Sequence, residues 1–83
     1  MTYYPIGTVV LLQGGNRPFM IFGRRQIQTT TNKEWNYVAC PYPEGNLGDQ
    51  YNIFFEHEEI ATVLHPGWVS EYEYEMQRML NQA

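Results

Sequence analysis

The stretch from Ile6 to Arg24 constrains the fold of this chain more than any other segment. It contains two apolar runs, Val9–Leu12 and Phe19–Phe22, separated by a Gly14-Gly15-Asn16 turn. β-Branched and aromatic side chains favour a pleated surface, and adjacent glycines supply the positive φ angles that a tight reversal needs. Because both runs are apolar at every position, both faces of the predicted hairpin need cover. We therefore expect this hairpin at the centre of a sheet.

Turn and strand signals indicate that residues 1–83 form one small domain of the α+β class. The pattern predicts a small curled antiparallel sheet of about five strands, followed by one C-terminal helix. It leaves open whether the sheet closes into an SH3-like barrel or stays an open meander. The predicted strands span approximately residues 7–13, 18–28, 34–42, 50–55 and 60–64, and the helix spans approximately residues 70–81. Gly23 lies inside the second strand, where an isolated glycine predicts a bulge with a positive φ.

The predicted helix begins with a capping box, in which Ser70 and Glu73 each satisfy a backbone N–H group of the other. Apolar side chains recur along this helix at helical spacing. We interpret this stripe as part of the hydrophobic core and not as a cofactor site. The stripe consists of Tyr72, Met76, Met79 and Leu80.

The net charge of −4 hides an uneven distribution of charge along the chain. Residues 1–33 contain four basic side chains and no acidic one, whereas residues 34–83 contain all nine acidic side chains and one basic residue, Arg78. One interpretation is that these charges only keep the domain in solution. The alternative is an acidic surface that docks on a basic segment of a partner.

The sequence contains only weak chemical motifs, so we expect no enzymatic activity and no cofactor or metal. Gly14-Gly15 lacks the Lys-Ser/Thr pair of a phosphate-binding loop, and His57 and His65 do not have the spacing of a metal site. Cys40 lies in an apolar strand that would bury its thiol, and as the single cysteine it fits a reducing cytosol. No apolar run is long enough to span a membrane, and the start does not resemble a signal peptide. We therefore predict a cytoplasmic location.

The loop formed by Tyr42, Pro43, Glu44, Gly45 and Asn46 is the strongest candidate for a binding surface. Its prolines and glycine fix a loop shape that the hydrophobic pattern does not need, and ordered loops on rigid scaffolds often carry binding groups. Tyr42 supplies a large amphipathic side chain of the kind that is enriched in interface hot spots. The alternative is a plain turn that ends one strand and begins the next.

A second part of the predicted protein-binding site is an acidic turn that contains His57 and Glu58. A different hypothesis is a small SH3-like barrel that binds nucleic acid, because small barrels bind oligonucleotides and cationic side chains contact phosphates. Its contacts would be Arg17, Arg24, Arg25 and Lys33. Four positive charges in a net acidic chain are few for such a surface, so we favour a protein partner over nucleic acid.

Four segments of the chain carry a family resemblance. They are Pro5–Gly15 in the first strand, Met20–Arg24 in the second strand, Tyr37–Asn46 in the following loop, and Phe55–Ile60. Together these segments resemble the DUF4176 family of small Firmicutes proteins, from Pro5 to about Gly67. Gln13 and Ala39 stand where the family usually has a basic residue and a glycine, and neither change removes the resemblance.

The resemblance implies a genomic setting, type VII secretion and its LXG toxins, and does not imply a reaction or an active site. In that setting the chain is expected to be a non-enzymatic cytosolic protein-binding accessory, adaptor or chaperone. Its expected partner is a helical region of an exported toxin. If the sheet stays open, its second face could also pair with another copy of the chain as a homodimer.

Overall fold

The two apolar runs form adjacent antiparallel strands, β1 (Val9–Leu12) and β2 (Phe19–Gln28), in a computed structural model that describes residues 1–82. The remaining elements are β3 (Lys33–Pro41), a 3-10 turn at Asp49–Tyr51, β4 (Ile53–Phe55), a second 3-10 turn at His57–Glu59, β5 (Ile60–His65) and α1 (Glu71–Leu80). The strand order across the sheet is β4-β3-β2-β1-β5, so both strands of the hairpin have neighbours on each side. The predicted central position of the hairpin is confirmed.

The fold is an open antiparallel sheet with one C-terminal helix, which confirms the predicted α+β class. The first four strands follow one another as a meander, and β5 then returns to pair with β1. β4 and β5 form the two edges of the sheet, so of the two forms that the sequence left open the structure has the open one. The fourth strand is shorter than predicted because residues 49–51 form a 3-10 turn.

Gly23 marks a bend in β2, but the predicted backbone conformation at this residue is wrong. The pairing with β3 shifts between Ile21 and Gly23, as expected for a bulge. The φ of Gly23 is not positive, and the positive φ in this segment belongs to Arg25, at 49°. Glycine is needed at position 23 because a Cβ atom there would lie 2.7 Å from Cγ1 of Val38.

The hydrophobic core lies on one face of the sheet, where α1 and the N-terminal segment cover it. Alternation along β3 places Tyr37 and Ala39 in this core and Val38 and Cys40 on the opposite face. The buried core residues are Tyr3, Val10, Ile21, Tyr37, Ala39, Phe55 and Leu80.

The prediction that the apolar stripe of the helix belongs to the hydrophobic core is wrong. Of its four residues only Leu80 is buried, and Tyr72, Met76 and Met79 are exposed. α1 instead turns Glu73, Gln77 and Leu80 towards the rest of the domain, because a buried arginine of the sheet binds the Glu73 carboxylate. Ser70 caps the helix by accepting a hydrogen bond from the Glu73 N–H at 3.3 Å, as predicted. The reciprocal half of the capping box is not formed, because the Glu73 side chain is used elsewhere.

No helix in residues 1–82 is long and apolar enough to cross a membrane.

Candidate functional site

A groove of about 1080 Å³ runs between α1 and the N-terminal segment, residues 1–5. We call it the N-terminal groove. Its lining combines aromatic and aliphatic side chains with one histidine and several polar groups. The lining residues are Met1, Thr2, Tyr3, Tyr4, Pro5, His57, Val69, Glu73, Tyr74, Gln77, Arg78, Asn81 and Gln82.

A buried ion pair holds one wall of the N-terminal groove against the sheet. Arg24, which is 7% exposed, donates from Nη1 and Nη2 to the two carboxylate oxygens of Glu73, at 2.5 and 3.0 Å. Burial raises the pKa of Glu73, but the hydrogen bonds from Arg24 and Gln77 and the arginine charge outweigh it, so the pKa lies below its usual value. The pair is two-pronged and shielded from water, which makes it geometrically specific.

Gln77 joins the two walls of the groove directly. Its side-chain amide donates to the Tyr3 carbonyl oxygen at 2.7 Å and to Glu73 Oε2 at 2.7 Å. Its carbonyl oxygen accepts from the Tyr3 N–H at 3.0 Å. Gln77 therefore satisfies both main-chain groups of Tyr3 and fixes the N-terminal segment along α1.

His57 is held at the end of the groove by two tyrosines. The Tyr37 hydroxyl accepts from the Tyr4 N–H at 3.0 Å and is hydrogen-bonded to His57 Nδ1, 2.7 Å away. Burial raises the pKa of Tyr37 to about 12, which keeps this phenol protonated at neutral pH. The rings of Tyr4 and His57 stack with centroids 5.1 Å apart. These two contacts engage Nδ1 of His57 and fix the orientation of its ring.

Gly67 fixes the linker between β5 and α1 against the start of β1. Its N–H donates to the Thr8 hydroxyl at 3.0 Å, and the Thr8 hydroxyl donates to the Pro5 carbonyl at 2.7 Å. A Cβ atom at position 67 would overlap the Ile6 carbonyl oxygen, so this close backbone approach requires glycine. The linker therefore starts α1 from a fixed point beside the N-terminal segment.

Large apolar side chains are concentrated on the surface of the C-terminal segment. The exposed fraction is 82% for Trp68, 85% for Tyr72, 71% for Tyr74 and 61% for Met79. We call these four residues the C-terminal apolar surface. Single exposed apolar residues are common, so it is the concentration of four within twelve positions that makes this segment a candidate interaction site.

The predicted loop at residues 42–46 is exposed and has a defined shape. Its turn is closed by a hydrogen bond from the Gly45 N–H to the Pro41 carbonyl at 2.8 Å, and Glu44 pairs with Arg17. The Asn46 side chain accepts from the Gly48 N–H at 3.1 Å. A binding role for this loop stays a prediction.

The two parts of the predicted site lie in different depressions of the surface. Tyr42 lines a depression of about 500 Å³ together with Leu64 and His65, whereas His57 lines the N-terminal groove. Glu58 is exposed beside His57.

Sequence reasoning missed Tyr74 and Val69, which line the N-terminal groove. A signal for Tyr74 was present in the alternation Glu71-Tyr-Glu-Tyr-Glu75. Residues two apart on a helix point in widely different directions, so this alternation cannot place both tyrosines on one core stripe.

All five basic side chains form an ion pair with a carboxylate of the same chain. The pairs are Arg17–Glu44, Arg24–Glu73, Arg25–Glu34, Lys33–Glu56 and Arg78–Glu75. Within residues 1–82, the carboxylates that are left without a basic partner account for the net charge of −4. They are Asp49, Glu58, Glu59 and Glu71. Within the same residues, no group of three or more histidine, cysteine or acidic side chains is arranged to hold a metal ion.

Comparison with known proteins identifies the family. Searches of curated proteins and of solved structures gave no significant match. The model of a family described as a domain of unknown function, DUF4176, matches residues 3–76. The matched range includes the sheet, the linker at Gly67 and the first half of α1, and it confirms the resemblance seen in the sequence. The chain therefore belongs to the DUF4176 family.

Proposed function

We propose that this domain is a non-enzymatic, cytosolic protein-binding accessory, an adaptor or chaperone, linked to type VII secretion of LXG-type toxins. Its proposed partner is a helical region of such a toxin. The secretion setting comes from the family resemblance, and the protein-binding role is supported by the surface of the domain.

The C-terminal apolar surface is the observation that carries this proposal. Trp68, Tyr72 and Tyr74 are each more than 70% exposed, although they follow one another within seven residues of a small domain. Tryptophan and tyrosine are enriched in interface hot spots because they bury a large area at a low cost in side-chain entropy. A partner that covers these side chains would remove apolar area from water, which is the main driving force of association.

The ion pairs favour a protein partner over nucleic acid. Arg24 is buried against Glu73, and Arg25 pairs with Glu34 and also donates to the Leu80 and Gln82 carbonyls, both at 2.9 Å. A phosphate backbone would have to displace such intramolecular partners before it could contact these side chains. It would also approach a domain whose uncompensated charge is negative.

The residues that might suggest catalysis have structural uses in this fold. Cys40 is buried within β3, Ser70 caps α1, and Nδ1 of His57 is hydrogen-bonded to the Tyr37 hydroxyl.

The proposal is tested by titrating the purified domain with the purified helical region of an LXG toxin from the same locus, using calorimetry. We expect a saturable one-to-one complex with a Kd of about 1 μM or tighter, in the range of specific protein complexes. Replacing Trp68, Tyr72 and Tyr74 together by serine should weaken it at least about a hundredfold, because several hot-spot side chains are lost.

The matched control replaces three apolar residues that are exposed elsewhere, Ile27, Leu47 and Tyr51, by serine and should leave the affinity unchanged. The absence of a complex at high concentration would contradict the proposal. So would equal effects of the two triple variants. Sedimentation of the domain alone gives a further check: a stable homodimer that the Trp68/Tyr72/Tyr74 variant dissolves would mean that this surface pairs two copies instead.

A further inference from the structure

We propose that a depression on the sheet face opposite α1 binds a primary alkylammonium group, such as the end of a lysine side chain. The depression has a volume of about 340 Å³ and lies between β2, β4 and the 3-10 turn at Asp49–Tyr51. We call it the Asp49 depression. It shares no residue with the C-terminal apolar surface or the N-terminal groove, so this inference does not depend on the proposed function.

One uncompensated carboxylate sets the charge of the Asp49 depression. Of the residues that line it in the described part of the chain, only Asp49 is charged. This side chain is exposed, and all five basic side chains of the chain pair with other carboxylates. The depression therefore favours a cationic ligand and repels an anionic one.

Apolar side chains form the floor of the Asp49 depression. Phe22 of β2 and Phe54 of β4 line it on the two sides of Val38, which lies in β3 between them. Phe22 is 40% exposed, so a ligand can still cover part of its ring. Phenyl rings attract cations and also pack against the methylene groups of long charged side chains. A carboxylate beside such a floor suits a ligand that is charged at one end and apolar along its stem.

Asn52 adds an unpaired acceptor to the lining of the Asp49 depression. The Asn46 side-chain oxygen accepts from the Gly48 N–H at 3.1 Å, so the atom of Asn52 that faces it, also at 3.1 Å, is the donor Nδ2. This orientation leaves Asn52 Oδ1 buried without a hydrogen-bond partner, the one such side-chain atom in residues 1–82. Unpaired buried acceptors are rare and unfavourable in folded proteins. A donor that reaches Asn52 from the depression would satisfy this oxygen.

A primary ammonium group matches the acceptors of the Asp49 depression. It carries three N–H donors and no acceptor. Gln26 supplies a further acceptor beside Asp49 and Asn52, since its hydrogen bond to the Arg24 carbonyl, at 3.1 Å, uses the amide nitrogen and leaves the side-chain oxygen free. The volume lies near the lower end of the range for small-ligand sites, which suits a short linear stem and not a ring system.

NMR titration of the isotope-labelled domain tests whether the ammonium group is recognised. The probe is lysine with an acetylated amino end and a methylamide at the carboxyl end, and its matched control is the same derivative of norleucine, which has the stem without the charge. We expect a Kd of about 1 mM for the lysine probe and about fivefold weaker binding of the norleucine probe, a ratio at the upper end for one ion pair open to solvent. The amide shifts should centre on Phe22, Asp49 and Phe54.

Two matched pairs of variants locate the site. Asp49→Asn should weaken binding of the lysine probe about fivefold, whereas Glu58→Gln, at another unpaired carboxylate, should leave it unchanged. Phe22→Ala should weaken binding of both probes about fivefold because it removes apolar contact area. Leu64→Ala changes a similarly exposed side chain outside the depression and should have almost no effect. Circular dichroism verifies that each variant is folded.

The free diamine cadaverine distinguishes the two sources of an alkylammonium group. Binding more than about threefold tighter than that of the lysine probe would assign the site to a free amine, and any weaker binding would assign it to a lysine side chain of a protein. Equal affinities for the lysine and norleucine probes would overturn the inference. So would equal effects of Asp49→Asn and Glu58→Gln, shifts centred on Glu58 and Glu59, or no saturation by the lysine probe up to about 20 mM.

Discussion

The N-terminal groove and the Tyr42 loop (residues 42–46) each present an exposed tyrosine, but they are held in place differently. The loop is closed by a local hydrogen bond from the Gly45 N–H, and Arg17 and Glu44 pair in contact with solvent. The walls of the groove are joined by a buried network of Arg24, Glu73 and Gln77, which connects β2, α1 and the N-terminal segment.

This difference separates a surface that can change locally from one that is tied to the stability of the whole domain. A substitution in the loop should alter only that loop. A substitution in the buried network should loosen the helix, the N-terminal segment and the groove together. Binding surfaces fixed by such networks also lose little entropy when a partner docks, because their shape is already set.

The largest expected difference is between two glutamates that each pair with an arginine. Glu73→Gln leaves the buried Arg24 charge without a counterion and should lower the free energy of unfolding by about 3 kcal/mol. Glu44→Gln removes an exposed partner of Arg17 and should leave the midpoint of thermal unfolding unchanged. Thermal and urea melts of the two variants measure the difference. Equal stability of the two variants would mean that the buried pair does not hold the groove together.

Two glycines give a second, smaller contrast. Gly67→Ala would place a Cβ atom against the Ile6 backbone, and we expect a loss of about 2–3 kcal/mol as the linker shifts. Gly45 has open space around it, but its φ is 86°, so Gly45→Ala should cost about 1 kcal/mol from backbone strain alone. Urea unfolding gives both values. A larger loss at position 45 than at position 67 would reverse the comparison.

A further contrast is expected in acid. The pKa of Glu73 is lowered in the folded state, so its contribution is present above the unfolded value of about 4.5 and is lost as the pH falls through the folded pKa. The pKa of Glu44 is also lowered, first by its own backbone N–H, but this side chain is exposed to solvent and salt. Stability measured from pH 6 to pH 2 should therefore fall less steeply in Glu73→Gln than in Glu44→Gln. Parallel curves for the two variants would contradict this.

Much of the fold follows from local patterns in the sequence. The hairpin, the bulge at Gly23 and the Ser70 cap depend on neighbouring residues, and each is found in the structure. The positive φ predicted at Gly23 is the exception. Glycine is needed there because a Cβ atom would lie too close to Val38, and not because of the φ angle.

The orientation of the helix did not follow from the sequence because it depends on a distant residue. Arg24 lies 49 positions before Glu73, and their pairing turns the Glu73 face of α1 inward and leaves Tyr72, Met76 and Met79 outside. The N-terminal groove is hidden in the sequence for the same reason. Its walls come from opposite ends of the chain and meet through Gln77 and Tyr3, a contact that no local pattern indicates.

The most direct test of the account is to compare Tyr74→Ala with Tyr42→Ala in binding to the helical region of the LXG toxin. Both side chains are exposed, so neither substitution should change the thermal midpoint much, and calorimetry then reports binding alone. If the C-terminal apolar surface, to which Tyr74 belongs, binds the partner, Tyr74→Ala should weaken the complex by about thirtyfold or more and Tyr42→Ala should leave the Kd within about threefold of wild type. Loss of binding in Tyr42→Ala, with binding retained in Tyr74→Ala, would place the partner on the loop and contradict the account.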